Sequence, residues 1–163
     1  HSELIHKEFL ADPKKDPRVE LIEQLISDCG HSGDILVYNI SFERSRLHEL
    51  IEQFPEHKDP LQCIIERLKD LMIPFQNKWY YTPEMRGSYS IKSVLPALIP
   101  ELSYNDLNIN DGGTASSTFQ SMMNGSFKGD ELSTRKDLLE YCKLDTYAMV
   151  KIIEKLKNLN SNY

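Results

Sequence analysis

The sequence predicts an α/β layer fold in which helices dominate the second half. Three observations carry this reading. The opening alternates strand-like and helix-like segments. Residues 35–39, ILVYN, are a short β-branched apolar run of the kind found in strands buried on both faces. The segment 131–158 reads as one long amphipathic helix. A chain of 163 residues is long enough for one domain with a real core and too short for two comfortable ones, so 1–163 is taken as a single domain.

The elements follow in order. Residues 4–10, LIHKEFL, alternate apolar and polar and predict a strand. ADPKKDP is a turn, with Pro17 placed to begin a helix over 17–29 whose inner face carries Val19, Leu21, Ile22, Leu25 and Ile26. HSGD is a loop before the strand 35–39. Ser41 is positioned to cap a helix over 42–54. A second helical stretch spans 60–69, and DLMIPF at 70–75 reads as a short strand or an extended turn. Residues 76–90 are irregular and rich in aromatics. A short helix at about 91–98 is kinked or stopped by Pro96. Residues 101–113 are loop-like and close on the turn Asp111-Gly112-Gly113. A helix at about 114–124, the turn NGSFKGD and the long last helix complete the chain, without repeats.

Composition narrows the function classes. No apolar run approaches membrane-spanning length and nothing resembles a signal peptide. Cys29, Cys63 and Cys142 are scattered and odd in number, which fits reduced core thiols in a cytoplasmic protein better than disulfides or zinc. A net charge of −6 opposes nucleic-acid binding over the whole surface while leaving room for a local basic groove. The start at His1-Ser2, without methionine, reads as an excised fragment or a tag remnant.

Asp145 is the residue most out of place. Leu138, Cys142, Met149, Ile152 and Leu156 share one face of the last helix, and Asp145 falls on it. A lone buried charge is costly unless paired, protonated or bound to metal. Tyr141, four residues earlier, is its neighbour on the helix surface. Asn39 closes the apolar strand and Glu43 lies in the first turn of the next helix. Ligands collect at the carboxyl ends of strands in open α/β sheets, although a first-turn acid also simply complements the helix dipole. The segment 75–92 sets Phe75, Trp79, Tyr80, Tyr81 and Tyr89 among Lys78, Arg86 and Lys92. That mixture suits stacking bases and meeting phosphates of a single strand, and equally suits a loop packed under the domain. Asp70 reads as a loop acid after a helix, with the same cleft as the alternative. His6, His31, His48 and His57 show no metal-ligand spacing.

Together these segments resemble a known family. Asn39-Ile-Ser-Phe42-Glu43 after an apolar strand is similar to the second motif of the DEDD exonucleases, Asn-x-x-Phe-Asp. Tyr141-Cys-Lys-Leu-Asp145 on a late helix is similar to their third motif in its tyrosine form. More closely, the run from HKEFL through GSYSIKSVLPALIPELSY to EYCKLDTYAM resembles an uncharacterised bacterial domain of this superfamily, over nearly the whole chain. The resemblance implies a ribonuclease H-like three-layer fold and metal-dependent 3′–5′ hydrolysis of phosphodiester bonds. It implies Glu43 and Asp145 as ligands of Mg²⁺ or Mn²⁺, Tyr141 as the residue orienting the attacking water, and Asn39 and Phe42 as residues shaping the substrate cleft; Lys78, Trp79 and Arg86 of the aromatic segment are the candidate contacts to a single-stranded nucleic acid. Two departures stand out. Glu43 replaces an aspartate, and the first motif, Asp-x-Glu, occurs nowhere in the sequence.

Several expectations follow. The fold is truncated at its N-terminus, its first central strands missing, and the fragment alone is inactive. Its partners are the upstream part of the same protein and a second copy of the chain, paired through exposed strand edges. The alternative function is a non-catalytic module that binds nucleic acid or protein on the same fold. The bland alternative for Asp145 is an ion pair with a core Lys or Arg.

Overall fold

The computed structural model describes residues 3–160. Among them the fold is mixed α/β and dominated by helices, with seven α-helices arranged about one two-stranded parallel sheet.

Residues 3–12 form neither helix nor strand, so the strand expected at 4–10 is absent. A strand exists only against a neighbour, and backbone groups without one must find other partners. Here the Arg135 guanidinium takes the carbonyls of Leu10 and Ala11 at 2.9 and 2.8 Å. Lys7 pairs with Asp28 at 2.7 Å. Leu4 and Ile5 stay exposed.

Helix α1 (Arg18–Cys29) buries Ile22 completely. It ends at Gly30, whose positive φ of 56° turns the chain while its N–H still reaches the Ile26 carbonyl. Helix ends leave orphan carbonyls. Arg67 satisfies them from across the fold, reaching the carbonyl oxygens of Cys29, Gly30 and Gly33 at 3.1, 2.8 and 3.3 Å.

Strand β1 (Ile35–Val37) leads into α2 (Ile40–Gln53), a 3-10 turn, α3 (Lys58–Arg67) and β2 (Leu68–Asp70). This crossover sets β1 and β2 side by side in parallel, with Ile35 opposite Leu68 and Val37 opposite Asp70. The second strand thus lies earlier than the 70–75 segment, because Leu68 already takes extended backbone and is buried in the sheet core. Residues 73–76 instead form the short helix α4 (Ile73–Gln76).

Helix α5 (Ile91–Leu98) passes through Pro96 and stops two residues later. Helix α6 (Gly112–Met123) begins where a simple turn was expected. The Asp111 carboxylate accepts the Thr114 N–H at 2.9 Å, a side-chain cap that converts the turn into a helix start. Helix α7 (Glu131–Asn160) is the long terminal helix.

Two large clusters hold the molecule. One packs Ile22, Val37, Leu47, Leu61, Ile64, Ile65 and Leu68 around the sheet. The other joins Leu71, Phe75, Met85, Val94, Leu95, Leu98 and Tyr104 to Ala148 and Ile152 of α7. The cysteines are not core thiols: Cys63 and Cys142 are exposed and Cys29 is half-buried. Cys142 misses the core because the buried line of α7 runs through Leu138, Ala148 and Ile152, with Tyr141 and Leu144 beside it. Among the described residues no helix is long and apolar enough to cross a membrane.

Candidate active site

Asp145 is half-buried on α7. The strongest contact to it comes from Tyr104, in the loop between α5 and α6, whose hydroxyl donates to Asp145 Oδ1 at 2.7 Å. Tyr141, one turn earlier on α7, lies beside the same carboxylate and helps hold it charged. The two phenol rings lean together, centroids 6.1 Å apart. Burial raises the Asp145 carboxyl above its ordinary range, while the two phenols and the charge of Lys92 pull it back in part. Both tyrosine hydroxyls are pushed up as well, chiefly by burial and then by Asp145. The hydrogen-bond partner of Asp145 is therefore a phenol, and Lys92 acts from further off, its ammonium 5.9 Å from the Tyr104 ring centre. Backbone of α6 closes the other side: a Cβ on Gly112 would lie 3.6 Å from the Tyr141 hydroxyl.

The second group gathers where β1 meets α2. Asn39 has left-handed backbone, φ 78° and ψ 71°, at the N-terminal boundary of α2, and its side chain makes no cap. Ser41 does not cap either, because the helix already starts at Ile40. The cap comes from Asp70 at the end of β2. Its carboxylate accepts the N–H groups of Asn39 and Ile40 at 3.0 Å each and that of Met72 at 2.9 Å. Asp70 is thus the residue that holds the β1–α2 corner, a role its position after a helical stretch did not reveal.

Glu43, in the first turn of α2, is half-buried and raised by burial first and by the nearby Asp70 second. Its Oε2 is buried without a hydrogen-bond partner. It borders an apolar groove between α1 and α2 that includes Leu21, Leu25, Phe42 and Leu47. Phe42 is largely exposed there, with Arg46 over its ring. Beside the corner, Tyr38 and Asn39 line an open cleft of about 310 Å³ with Ser88, Tyr89, Ser90 and Ile91. The Tyr38 hydroxyl donates to the Tyr89 carbonyl at 2.7 Å.

The aromatic segment divides in two. Phe75 is buried and Tyr80 packs edge-on against it, so these two serve the core. Trp79, Tyr81 and Tyr89 are exposed at 73, 49 and 45%. Lys78 and Arg86 are exposed and stand at left-handed turn positions, φ 56° and 52°.

The structure therefore brings together Tyr141 with Asp145, and separately Asn39, Phe42 and Glu43. Asp145 keeps company with Tyr104 and Tyr141, whereas Glu43 borders the groove between α1 and α2. Carboxylate oxygens are the donors a hard cation prefers, but the Glu43 Oε2, buried without a hydrogen-bond partner, borders a groove lined mainly by apolar side chains. Among the described residues no three His, Cys, Asp or Glu side chains converge on a common point.

Comparison with known proteins places the chain in a family. The chain is 30% identical over 154 residues to the Uncharacterized protein UU173 of Ureaplasma parvum serovar 3, covering 82% of this chain and 22% of that protein. It thus spans about a fifth of the length of the curated relative it matches. No solved structure matches. Residues 1–90 match the family described as Domain of unknown function (DUF2779). That match covers more than half of the 163 residues, and the chain belongs to the DUF2779 family.

Proposed function

We propose that the chain is part of a metal-dependent 3′–5′ exonuclease domain of ribonuclease H-like architecture, acting on single-stranded nucleic acid in the cytoplasm. The observation that carries this reading is the half-buried Asp145 with Tyr141 one turn before it, its carboxylate accepting a hydrogen bond from the Tyr104 phenol. The unsatisfied Glu43 Oε2 and the cleft at the carboxyl end of β1 support it.

Magnesium or manganese, when bound, supplies Lewis-acid stabilisation of the attacking and leaving oxygens. In this reading Asp145 and Glu43, which the fold sets in separate surroundings, would each be an oxygen ligand completed by acids from elsewhere in the full-length protein. The Tyr141 hydroxyl, beside Asp145, orients the attacking water. Asn39 shapes the cleft wall, Phe42 stands exposed on the neighbouring groove, Trp79 stacks a base, and Lys78 and Arg86 meet phosphates. The remaining acids come from elsewhere in the full-length protein, and the chain alone is inactive. A second copy pairing through exposed edges of the sheet is a further partner on this reading. The test is cleavage by the full-length protein with Mg²⁺ or Mn²⁺, alongside Asp145→Asn and Tyr141→Phe. Both variants must lose rate; an Asp145→Asn protein as fast as wild type removes the assignment.

The placement of Glu43 beside an apolar groove favours a second reading, a non-catalytic module that binds nucleic acid or protein. Binding of a single strand by the full-length protein with no cleavage in either metal distinguishes it.

A further inference from the structure

The cleft beside the β1–α2 corner is built on anchored parts. Tyr38 packs against the buried Phe75, ring centroids 6.5 Å apart and planes 24° from parallel. Its hydroxyl donates to the Tyr89 carbonyl at 2.7 Å, which ties the loop before α5 to the end of β1. That loop is also bonded within itself. The Ser88 N–H reaches the Met85 carbonyl at 3.0 Å, and the Ser90 N–H reaches the Ser88 hydroxyl at 3.3 Å. Asn39 has left-handed backbone, held by the Asp70 carboxylate, which accepts its N–H at 3.0 Å. The side chains carried by these anchors are left open. Tyr89 is 45% exposed, Asn39 is exposed, and both line the cleft. Neither side chain has a hydrogen-bond, ion-pair or ring partner among the described residues. Met72 and Ile91 add apolar surface. The volume of about 310 Å³ stands at the lower end of the range for ligand sites, roughly 300–1,000 Å³, and suits one flat ring with a polar edge.

An exposed aromatic face, an amide able both to donate and to accept, and a small apolar floor together match the chemistry of a nucleobase. We propose that this cleft is a nucleobase subsite, in which the base stacks on Tyr89 and turns its hydrogen-bonding edge to Asn39. The proposal rests on the reading of the chain as a binder of single strands, with or without cleavage. It adds a second base contact to that of Trp79, which lies elsewhere, against Pro74, Tyr80, Leu156 and Leu159. Because the backbone on both sides is pinned, the site is formed before the strand arrives and little ordering opposes binding.

The experiment titrates the full-length protein with a short labelled single strand and follows fluorescence anisotropy. DNA and RNA strands of one sequence are both tried, and the tighter is carried into the variants. Each variant is also titrated with an abasic strand of equal length, which keeps the phosphates and lacks the bases. Tyr89→Ala is expected to weaken binding of the normal strand about 5- to 150-fold and to leave the abasic strand unchanged. Tyr89→Phe keeps the ring and should rescue the loss. Asn39→Gly removes the amide at a positive φ that glycine accepts, and should even out the affinities for homopolymers of different bases. An unchanged spread there overturns the edge contact. Normal-strand binding by Tyr89→Ala as tight as wild type, or an equal loss on the abasic strand, overturns the subsite. Strand binding that still depends on Trp79 then leaves the single-strand reading standing. A wild-type protein that binds no strand overturns both. Should Tyr89→Ala fail to fold, a strand carrying photoreactive 4-thiouridine is crosslinked to the wild-type protein. Crosslinks within 88–91 support the subsite, and crosslinks confined to other segments overturn it.

Discussion

Replacing Asp70 by alanine should release the start of α2 while leaving α7 in place. The carboxylate accepts three backbone N–H groups: Asn39 and Ile40 at the head of α2, and Met72 beyond β2. Hydrogen bonds to a charged group contribute roughly 1.5–3 kcal/mol each, and loss of a helix cap costs about 0.5–2 kcal/mol. The Asn39 bond is exposed and the other two are partly buried, so the three do not add in full. The local cost is then about 2–4 kcal/mol, which is roughly a 30- to 900-fold rise in the open population. Amide hydrogen exchange on the full-length protein reads this directly. Amides at 39–43 should lose protection by that factor in Asp70→Ala and by less in Asp70→Asn, which retains one acceptor oxygen. Amides in α7 should not change. Exchange at 39–43 within threefold of wild type would refute the cap, and with it the account of how Glu43 is held.

Other perturbations follow from single contacts. Leu95 is fully buried between α5 and α7, so Leu95→Ala should cost roughly 2–5 kcal/mol in denaturant unfolding. Burial raises Glu43 in the folded state, so the folded protein keeps that proton to higher pH than the unfolded chain does. The resulting stability is present at low pH and lost as pH rises from the ordinary value of 4.5 through the raised folded value. Glu43→Gln should therefore raise the melting temperature near neutral pH and leave it unchanged below that window, while lowering metal-dependent cleavage; a melting curve parallel to wild type at every pH contradicts this. Trp79 is 73% exposed, so Trp79→Ala should leave unfolding unchanged and weaken single-strand binding by about 1–3 kcal/mol in fluorescence titrations, if it stacks a base.

What the sequence revealed was what neighbours along the chain decide. Tyr141 and Asp145 lie one helical turn apart, so their pairing follows from spacing alone. Helices α1 and α7 announce themselves by apolar periodicity and strand β1 by its β-branched run. The strand expected at 4–10 had the right alternation and failed because no neighbouring strand meets it among the described residues; Arg135 takes its carbonyls instead. Asp70 reaches α2 across 30 residues and Tyr104 reaches Asp145 across 41, and no local pattern encodes either contact. The division of the aromatic segment was hidden for the same reason. Phe75 and Tyr80 face the core and Trp79 faces solvent only once α4 is folded against Tyr38 and the α5–α7 cluster.

On the proposed reading Asp145 serves phosphodiester hydrolysis. The most direct measurement incubates the full-length protein with a 5′-labelled single strand and Mn²⁺, with and without chelator, beside Asp145→Asn. The expected result is a ladder shortening from the 3′ end that the chelator stops and the variant does not produce. An intact strand under all conditions, or a ladder that Asp145→Asn produces equally well, would contradict it.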